Sequence, residues 1–564
     1  MRRATSIAVL MIVVLFAAAA ASADIITSSL TGRVSAGEQP LSGVSVTVTT
    51  TTSSFARTTT TNTNGRYFID ALPPGRYDVV FELAGHQSLI RPVIVELGRV
   101  ARADAILQPS EDEETVTSTA MTQSVVDTTA ITSHFDRGDL ERLPLYSGPA
   151  SVPAYAPSAD GTLLLDGTFG AAQLRAYEAA EQVTTIRAGA PAFLAAPGAV
   201  ALQTRSGGER WALALRDTWY ESQFSSGHLY EATAGGRIVG DRLWFFGAGW
   251  RGDHVAAPDT GGVLLKLTAQ PASAHHIEAS WLDTEHAAFT DTNAATTHLR
   301  YIGAFGRAVS IEALASHSNQ NSFFIQGREQ EGSFRLSWNL GSHVLSGGVA
   351  HDVRDDSFTE IIGRRDYDET ALILTDRWQW RGLALDAGVR HSDDHTLPRV
   401  ALTYDLRGNG RQAIAASYGE FASPTSDRTL EVSALGFVTA VGTGGSARID
   451  AIRRHGYGTT VDLLQFESRY RLFDRFEIGA VYSREDTEGD VFNVGRIWTG
   501  GQFAIGSHEL GLTVAESHAY GEWGTDVALR YLVPISRLAL TLATDAFDLF
   551  GDRRSVRVWA RVRL

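Results

Sequence analysis

The last ten residues of the chain, 555–564, read SVRVWARVRL. Apolar and polar side chains alternate along this stretch. One face carries Val556, Val558, Ala560, Val562 and Leu564, and the other carries Arg557, Trp559, Arg561 and Arg563. Successive side chains of a β-strand leave opposite faces of the pleat, so a period of two predicts a strand. A single strand of this kind fits many folds, and the number of repeats therefore decides which fold is present.

The same alternation recurs along residues 209–564. Its clearest repeats lie at 211–215, 277–281, 334–338, 476–482 and 538–542. Between the segments, tight turns such as 240–241 and 341–342 alternate with longer polar stretches, which lie at 251–261, 285–295, 319–331 and 352–369. Outer-membrane barrels have short periplasmic turns and long external loops, and their lipid-facing and lumen-facing residues alternate along each strand.

The pattern predicts an all-β chain whose residues 209–564 form a transmembrane antiparallel barrel of about 20–22 strands. The lower count follows from the clear repeats. Segments 430–441 and 447–454 add a final pair if they form a hairpin around 442–445. Closure of the barrel pairs every backbone group, as a structure in lipid requires.

Composition excludes several classes of protein. The chain has 564 residues and a formal net charge of −15, so it lacks the basic balance of a nucleic-acid-binding protein. It contains no cysteine, which excludes disulfides and thiolate chemistry. Beyond the N-terminus, no stretch is apolar over the roughly 20 residues that a spanning helix needs. We therefore expect the mature chain to cross a membrane only as a barrel.

Residues 1–23 have the features of a secretory signal peptide. Arg2 and Arg3 precede an apolar run at 7–20, and residues 21–23 (Ala-Ser-Ala) form a small-x-small cleavage site. We expect the mature, exported chain to begin at Asp24.

Residues 24–108 contain short alternating segments separated by turn signals. The segments 44–48, 67–69 and 77–81 alternate, and turn residues lie at 64–65 (Asn-Gly) and 73–75 (Pro-Pro-Gly). This spacing predicts a small β-sandwich. No cluster of titratable residues in it indicates chemistry.

The sandwich resembles a known domain. The segments that carry the likeness are 32–34, 40–44, 63–67 and 72–77. They are similar to those of the carboxypeptidase regulatory-like domain, a transthyretin-like fold grouped with carbohydrate-binding-like folds. The resemblance implies a spacer or docking module, with direct glycan binding as the alternative.

Residues 109–120 form an acidic linker that contains four consecutive acidic residues, 111–114. Strand-forming residues follow directly, in the order Glu114, Thr115, Val116 and Thr117. A short segment of this type in a flexible setting can pair with the edge of a partner's sheet.

Residues 121–208 carry a series of motifs at 126–129, 143–145, 164–167 and 200–207. Their order resembles that in the plug of TonB-dependent outer-membrane receptors, in the subfamily that has a regulatory-like domain at its N-terminus. On that resemblance, Glu114, Thr115, Val116 and Thr117 would form the TonB box. The plug is shorter than the family's, because 146–161 is a Pro/Ala/Ser-rich passage where the family has a helix and strands.

The resemblance implies an outer-membrane receptor that binds a scarce solute at the cell surface and imports it with energy from the inner-membrane TonB complex. Its N-terminal domain would lie in the periplasm. The expected partners are outer-membrane lipid, the TonB complex, the barrel-assembly machinery and an unknown small-molecule, glycan or peptide ligand. No cofactor or nucleic acid is expected. The shortened plug leaves an alternative open, namely a passive pore or a structural or adhesive barrel.

Three local motifs contain residue types that can bind or catalyse. The charged stretch 354–369, expected as a loop, offers Arg354, Arg364, Arg365, Asp366 and Asp368 as ligand-contact candidates. Residues 391–395 (His-Ser-Asp-Asp-His) and 251–253 (Arg-Gly-Asp) are better explained as polar surface than as a metal site or an adhesion motif. No nucleophile elbow or phosphate-binding glycine loop occurs, so an enzyme is not expected.

Overall fold

The computed structural model describes residues 28–564 apart from several gaps. The gaps lie at 38, 51–54, 96–99, 110–115, 118–129, 144, 146–151, 153–162, 170–173, 175, 223–225, 256–259, 288–290, 322–324, 359–363, 393–394, 409, 424–425, 443–444, 457, 473–474, 520–521, 536–537 and 549–554. The signal peptide expected at 1–23 lies outside the described residues.

The N-terminal part is a β-sandwich of two sheets. Its strands are β1 (Ser28–Ala36), β2 (Gln39–Pro40), β3 (Ser45–Thr50), β4 (Ala56–Thr60), β5 (Arg66–Leu72), β6 (Gly75–Glu82), β7 (Leu89–Val95), β8 (Val100–Arg102) and β9 (Ala105–Ile106). In one sheet, β1 pairs with β2, β5, β8 and β9, and the other sheet has the order β7-β6-β3-β4. Val44, Val46 and Val48 are fully buried in the core, as the period of two predicts.

Gly32 in β1 occupies a position where no side chain fits. A Cβ there would lie 2.1 Å from the carbonyl oxygen of Ala103 and 2.7 Å from the ring of Tyr67. We expect Gly32→Ala to lower the free energy of unfolding of the sandwich by about 3 kcal/mol, because backbone atoms cannot turn away from the clash. Limited proteolysis of the full chain measures this as cleavage within 28–109. Gly75→Ala is the control, since its Cβ would meet nothing nearer than 3.8 Å, and equal resistance of the two variants would contradict the expectation.

A second set of elements follows, which we call the inner segment (described residues of 130–208). It contains β11 (Ile131–Asp136), α1 (Arg137–Arg142), β12 (Leu163–Leu165), β13 (Thr168–Phe169), β14 (Ala180–Ala188) and β15 (Ala199–Thr204). The sheet order is β11-β14-β15-β12-β13. Asp136 begins α1 by accepting the Asp139 N–H at 2.9 Å, while the Asp139 carboxylate accepts the Asp136 N–H at 3.2 Å. This capping box fixes the position of Asp139.

The remaining residues form a closed antiparallel barrel of 22 strands. The strands are β16 (Ala212–Ser222), β17 (Ser226–Val239), β18 (Leu243–Val255), β19 (Thr260–Ala272), β20 (His275–Ala287), β21 (Asp291–Phe305), β22 (Val309–Asn321), β23 (Ile325–Asn339), β24 (His343–Phe358), β25 (Arg364–Trp380), β26 (Leu383–Ser392), β27 (His395–Asp405), β28 (Gln412–Ser423), β29 (Ser426–Val441), β30 (Gly445–Gly456), β31 (Thr459–Leu472), β32 (Phe476–Thr487), β33 (Asp490–Ile505), β34 (His508–Ala519), β35 (Glu522–Ile535), β36 (Leu538–Phe547) and β37 (Ser555–Arg563). β37 pairs with β16 and closes the wall. The hairpin expected around 442–445 is present as β29 and β30, which confirms the higher strand count.

The expectation of long external loops is wrong. The polar stretches 251–261, 285–295, 319–331 and 352–369 lie mostly within strands. A polar stretch predicts a loop only if strands end at the lipid boundary. Above that boundary both faces of a strand meet water, so polar residues can lie on either face and pair across the ladder. Glu329 and Arg354, for example, are ladder partners with a contact of 2.7 Å between their side chains. The 251–253 motif likewise lies inside β18 and not in a turn.

The outer face of the barrel is apolar. Leu372, Leu374, Leu435 and Ile497 are each about 60% exposed, whereas their neighbours Ala371 and Ile373 point inward and are buried. Strand lengths run from 9 residues in β37 to 17 in β25. A tilted strand of roughly 9–11 residues crosses a bilayer, so each strand is long enough and several continue beyond the lipid. The described part of the chain includes no helix with the length and apolarity of a membrane span.

Candidate functional site

The arginine face of β37 points into the barrel. Arg557 and Arg561 are 5% exposed and Trp559 is 3% exposed, while Val558 and Val562 on the outward face are 45% and 37% exposed. Charged residues in the lumen need partners, because a buried charge without one is costly. The inner segment supplies many of these partners.

Glu178 is the centre of one ionic cluster. It lies in the short 3₁₀ turn Tyr177–Ala179 and is fully buried. Arg137 of the inner segment donates to its carboxylate at 2.6 Å, and Arg561 of the wall donates at 3.3 Å. Arg216 of β16 lies 3.7 Å away. Burial alone would raise the pKa of Glu178, but these guanidinium groups lower it, so the carboxylate stays charged and ties the inner segment to β16 and β37.

Helix α1 forms a second cluster. The Asp139 carboxylate lies 3.0 Å from both Arg469 and Arg471 of β31. Glu141 lies 2.7 Å from Arg561 of β37. Burial alone would raise the pKa of Glu141, but nearby guanidinium groups, Arg561 foremost, lower it to about 2. Both carboxylates are therefore ionised at neutral pH and hold α1 between two distant wall strands.

A third contact lies at β19, four strands along the wall from β37. Asp166, in the tight turn between β12 and β13, accepts the Thr204 N–H at 2.8 Å. The ammonium group of Lys266 in β19 lies 3.5 Å from Asp166 and 3.4 Å from Glu278. Lys266 is 1% exposed, so these two carboxylates are the charges that offset its burial.

The loop between β14 and β15 forms a fourth contact. Arg399 of β27 donates to the carbonyl oxygens of Pro191, at 2.7 Å, and Leu194. Arg187 of β14 donates to Glu467 of β31 at 3.0 Å. The inner segment thus touches β16, β19, β27, β31 and β37, which lie around the whole wall. Its described residues are tied to the wall at each of these strands.

Two cavities remain beside the inner segment. One has a volume of about 90 Å³ and lies near Phe193 and Arg399. The other, of about 150 Å³, lies between α1 and the wall near Trp498. Both are smaller than the roughly 300–1,000 Å³ of a typical small-molecule site.

Two of the four residues of the expected TonB box lie within the described part of the chain. Val116 and Thr117 form a two-residue strand, β10 (Val116–Thr117), that pairs in parallel with Leu89 and Ile90 of β7. Glu114 and Thr115 lie outside the described residues. The box segment therefore joins the edge of the N-terminal sandwich.

The expected ligand-contact residues lie on strands, not in a loop. Arg354 is in β24, and Arg364, Arg365, Asp366 and Asp368 are in β25. The two strands are hydrogen-bonded neighbours at the end of the barrel away from the tight turns, so these residues share one sector of the wall. Asp368 lies 3.5 Å from His351, and its side chain is mostly exposed.

The structure also shows an acidic cluster at this end of the barrel, which the sequence alone does not predict. Carboxylate oxygens of Glu329, Glu331 and Asp352 lie within 4.8 Å of one another. Arg354 contacts Glu329 at 2.7 Å and Asp352 at 3.1 Å, so a cation of the chain itself already balances part of the charge. The alternation of Glu329 and Glu331 is visible in the sequence. The approach of Asp352 follows only from the register that pairs it with Glu331.

The N-terminal sandwich and the barrel can be compared with known proteins. A family model of the carboxypeptidase regulatory-like domain matches residues 29–108. No curated protein sequence matches the chain. The siderophore receptor PirA of Pseudomonas aeruginosa has a similar structure, with a TM-score of 0.66 and 14% identity over 77% of this chain and 99% of that one. The chain has the fold of TonB-dependent outer-membrane receptors.

Two further receptors share this fold. The alcaligin receptor FauA of Bordetella pertussis matches with a TM-score of 0.62 and 15% identity, over 79% of this chain and 97% of that one. The ferric-catecholate import receptor Fiu of E. coli K12 matches with a TM-score of 0.63 and 12% identity, over 78% and 98%. These neighbours are receptors, not enzymes. The closed 22-strand barrel of this chain shares the architecture of these outer-membrane receptors.

Proposed function

We propose that the chain is an energy-coupled outer-membrane receptor, which binds a scarce solute from outside the cell and imports it. The observation that carries this proposal is the set of buried ion pairs between the inner segment and the wall. Buried ion pairs centred on Glu178, Asp139 and Asp166 hold the inner segment against the wall. A solute can pass only after several of them break, so an external source of work is needed.

The same observation disfavours the alternative of a passive pore. A pore needs a continuous water path, whereas the cavities found beside the described inner segment have volumes of about 90 and 150 Å³. Its shortened sequence at 146–161 does not leave the described lumen empty.

The inner-membrane TonB complex is the proposed source of work. Val116 and Thr117 adopt an extended backbone at the edge of a sheet, where they pair with β7 alone. An extended segment can leave one sheet edge and add to another, because the backbone hydrogen bonds are equivalent. Glu114, Thr115, Val116 and Thr117 are therefore proposed as the segment that the energy transducer binds.

The ligand is proposed to be a small molecule. Several proteins of the same fold are named as receptors for siderophores, which are iron chelates. Arg354, Arg364, Arg365, Asp366 and Asp368 are proposed as contact residues, since they lie together on β24 and β25 at the external end. Glycans and peptides are the competing ligand classes.

Val116→Pro tests the energy coupling, because proline removes the N–H that a strand pairing needs. We expect binding of the purified full-length receptor to the periplasmic domain of the energy transducer to weaken about tenfold or more, roughly the loss of one or two backbone hydrogen bonds. Val116→Ile keeps the N–H and strand propensity and serves as the control. Deleting residues 114–117 should also abolish uptake while leaving binding of iron-loaded siderophore probes intact. Unchanged transducer binding in Val116→Pro would overturn the proposed box.

A further inference from the structure

The N-terminal sandwich sits against the end of the barrel that carries the tight turns. Ala56 donates its backbone N–H to the carbonyl oxygen of Ser273, 2.7 Å away in the turn between β19 and β20. Arg102 lies 3.5 Å from Asp405 at the end of β27. Between these points are hydrogen bonds from Thr31 Oγ1 to Gln379 Oε1 at 3.0 Å and from Asn339 Nδ2 to the Phe68 carbonyl oxygen at 2.9 Å. The contacts extend along the rim from β19 to β27.

Asp70 of β5 reaches an arginine inside the lumen. It is 5% exposed and accepts hydrogen bonds at 2.8 Å from Ser29 within the sandwich and at 2.8 Å from Arg335 of the wall. Arg335 lies four residues before the end of β23 at Asn339, roughly 13 Å along the strand. Its guanidinium also lies over the ring of Phe193 in the inner segment, 5.2 Å from the centroid. Sandwich, wall and inner segment therefore meet at one arginine.

Burial alone would raise the pKa of Asp70, but Arg335 and the hydrogen bond from Ser29 lower it, so the carboxylate stays charged. A buried carboxylate of this kind is stable only while its cationic partner is present. The buried Asp70 side chain therefore belongs to the contact between the sandwich and the barrel wall, and not only to the core of the sandwich.

The sandwich and α1 occupy different halves of the mouth. On the side of β31, β35 and β37, α1 fills the space, and Arg530 donates to the Arg142 carbonyl oxygen at 2.6 Å. On the side of β19 to β27, Phe68 and Asp70 of the sandwich enter beneath Phe193. The space left where the three parts meet is the cavity of about 90 Å³. The sandwich therefore lies on the side of β19 to β27, and among the described residues α1 lies on the side of β31, β35 and β37.

We propose that the N-terminal sandwich is a second stopper, which completes the short inner segment and closes the periplasmic mouth of the barrel. A solute leaves the lumen only when the sandwich undocks. The proposal goes beyond energy coupling, since closure of the mouth needs neither a ligand nor a transducer. If the box proposal also holds, a pull on β10 acts on this stopper directly, because β10 pairs with β7 of the sandwich.

Engineered cysteines test the docking in the full chain, whose natural sequence has none. The Ala56–Ser273 hydrogen bond keeps the two Cα atoms within the roughly 4.4–6.8 Å that a disulfide spans. We expect Ala56→Cys with Ser273→Cys to oxidise in most molecules in outer membranes. In this variant, cleavage at a protease site introduced at 110–113 should release the sandwich only after the disulfide has been reduced. Glu82→Cys with Ser273→Cys is the mismatched control, because Glu82 lies on the second strand from Ala56, roughly 16 Å away.

Conductance tests the closure. We expect Arg335→Gln to increase the open-state current in planar bilayers about tenfold or more, because it leaves Asp70 buried without its wall partner. Arg381→Gln is the matched control. Arg381 lies in the next tight turn along the rim, stacked over Trp380 at 4.9 Å. Migration of the unheated barrel on gels shows that both variants fold.

A combined variant makes the result decisive. In Arg335→Gln with Ala56→Cys and Ser273→Cys, the current should be high under reducing conditions and return to the wild-type level on oxidation. A current that oxidation does not lower would assign the leak to the inner segment and overturn the proposal. Failure of the matched disulfide, or wild-type current in reduced Arg335→Gln, would also overturn it. None of these measurements uses the TonB complex or a solute, so their outcome is independent of the box.

Discussion

Glu178→Gln is expected to release the inner segment and convert the closed barrel into one that conducts steadily. The wild-type carboxylate is fully buried, with Arg137, Arg561 and Arg216 within 3.7 Å. An amide of the same shape removes the negative charge and leaves these guanidinium groups facing one another. Removing one partner of a buried ion pair costs about 3–5 kcal/mol.

Two measurements check this expectation. Single-channel recording should show a sustained open current in Glu178→Gln and a closed wild type. Denaturant titration should show earlier unfolding of the inner segment while the barrel transition stays in place. Glu181→Gln is the matched control, because Glu181 is half exposed and lies 3.8 Å from Arg205. Such a surface pair contributes about 0–1 kcal/mol. Equal currents in the two variants would contradict the structural role of Glu178.

Acidification is expected to loosen the inner segment between about pH 4.5 and pH 2. Glu141 has a pKa of about 2 in the folded chain, against 4.5 when unperturbed. A lowered pKa stabilises the folded state fully above the unperturbed value, and the stabilisation is lost as the pH falls toward the folded value. The difference corresponds to roughly 3 kcal/mol at most. Asp139 also has a lowered pKa and acts in the same direction.

The urea concentration that opens the barrel, followed as bilayer current from pH 7 to pH 3, measures this dependence. The wild type should be constant above pH 5 and fall below it. Glu141→Gln should open at lower urea at pH 7 and show a smaller acid-dependent fall, whereas Glu181→Gln should retain the wild-type profile. A transition centred between pH 6 and pH 7 would instead point to a histidine and contradict the assignment to Glu141.

The barrel could be predicted because its signal is local. The alternation in 555–564 survives in the structure as an outward valine face and an inward arginine face. The hairpin of β29 and β30, which brings the barrel to 22 strands, could be predicted for the same reason, because its signal is local. The upper parts of the strands could not be predicted in this way, because the charge at 352–369 favours a loop, although strands outside lipid tolerate charge on both faces.

The contacts that close the lumen could not be predicted. Glu178 and Arg561 are 383 residues apart, and Asp70 and Arg335 are 265 apart. Such pairs depend on barrel register and on how the sandwich docks, and neither is encoded in a short segment. The shortened passage at 146–161 suggested an incomplete plug. In the structure, the N-terminal sandwich lies on the side of β19 to β27, and among the described residues α1 lies on the side of β31, β35 and β37.

The barrel wall becomes shorter between β25 and β26. The ladder between β25 and β26 begins at Ala371 and Ser392, so the backbone of residues 364–368 extends beyond the first described rung of that ladder. These residues read RRDYD, and four of the five are charged. A free strand edge invites pairing with another chain, and charged residues are a common means of preventing it. In a crowded membrane, the charges of Arg364, Arg365, Asp366 and Asp368 would keep neighbouring barrels from joining edge to edge.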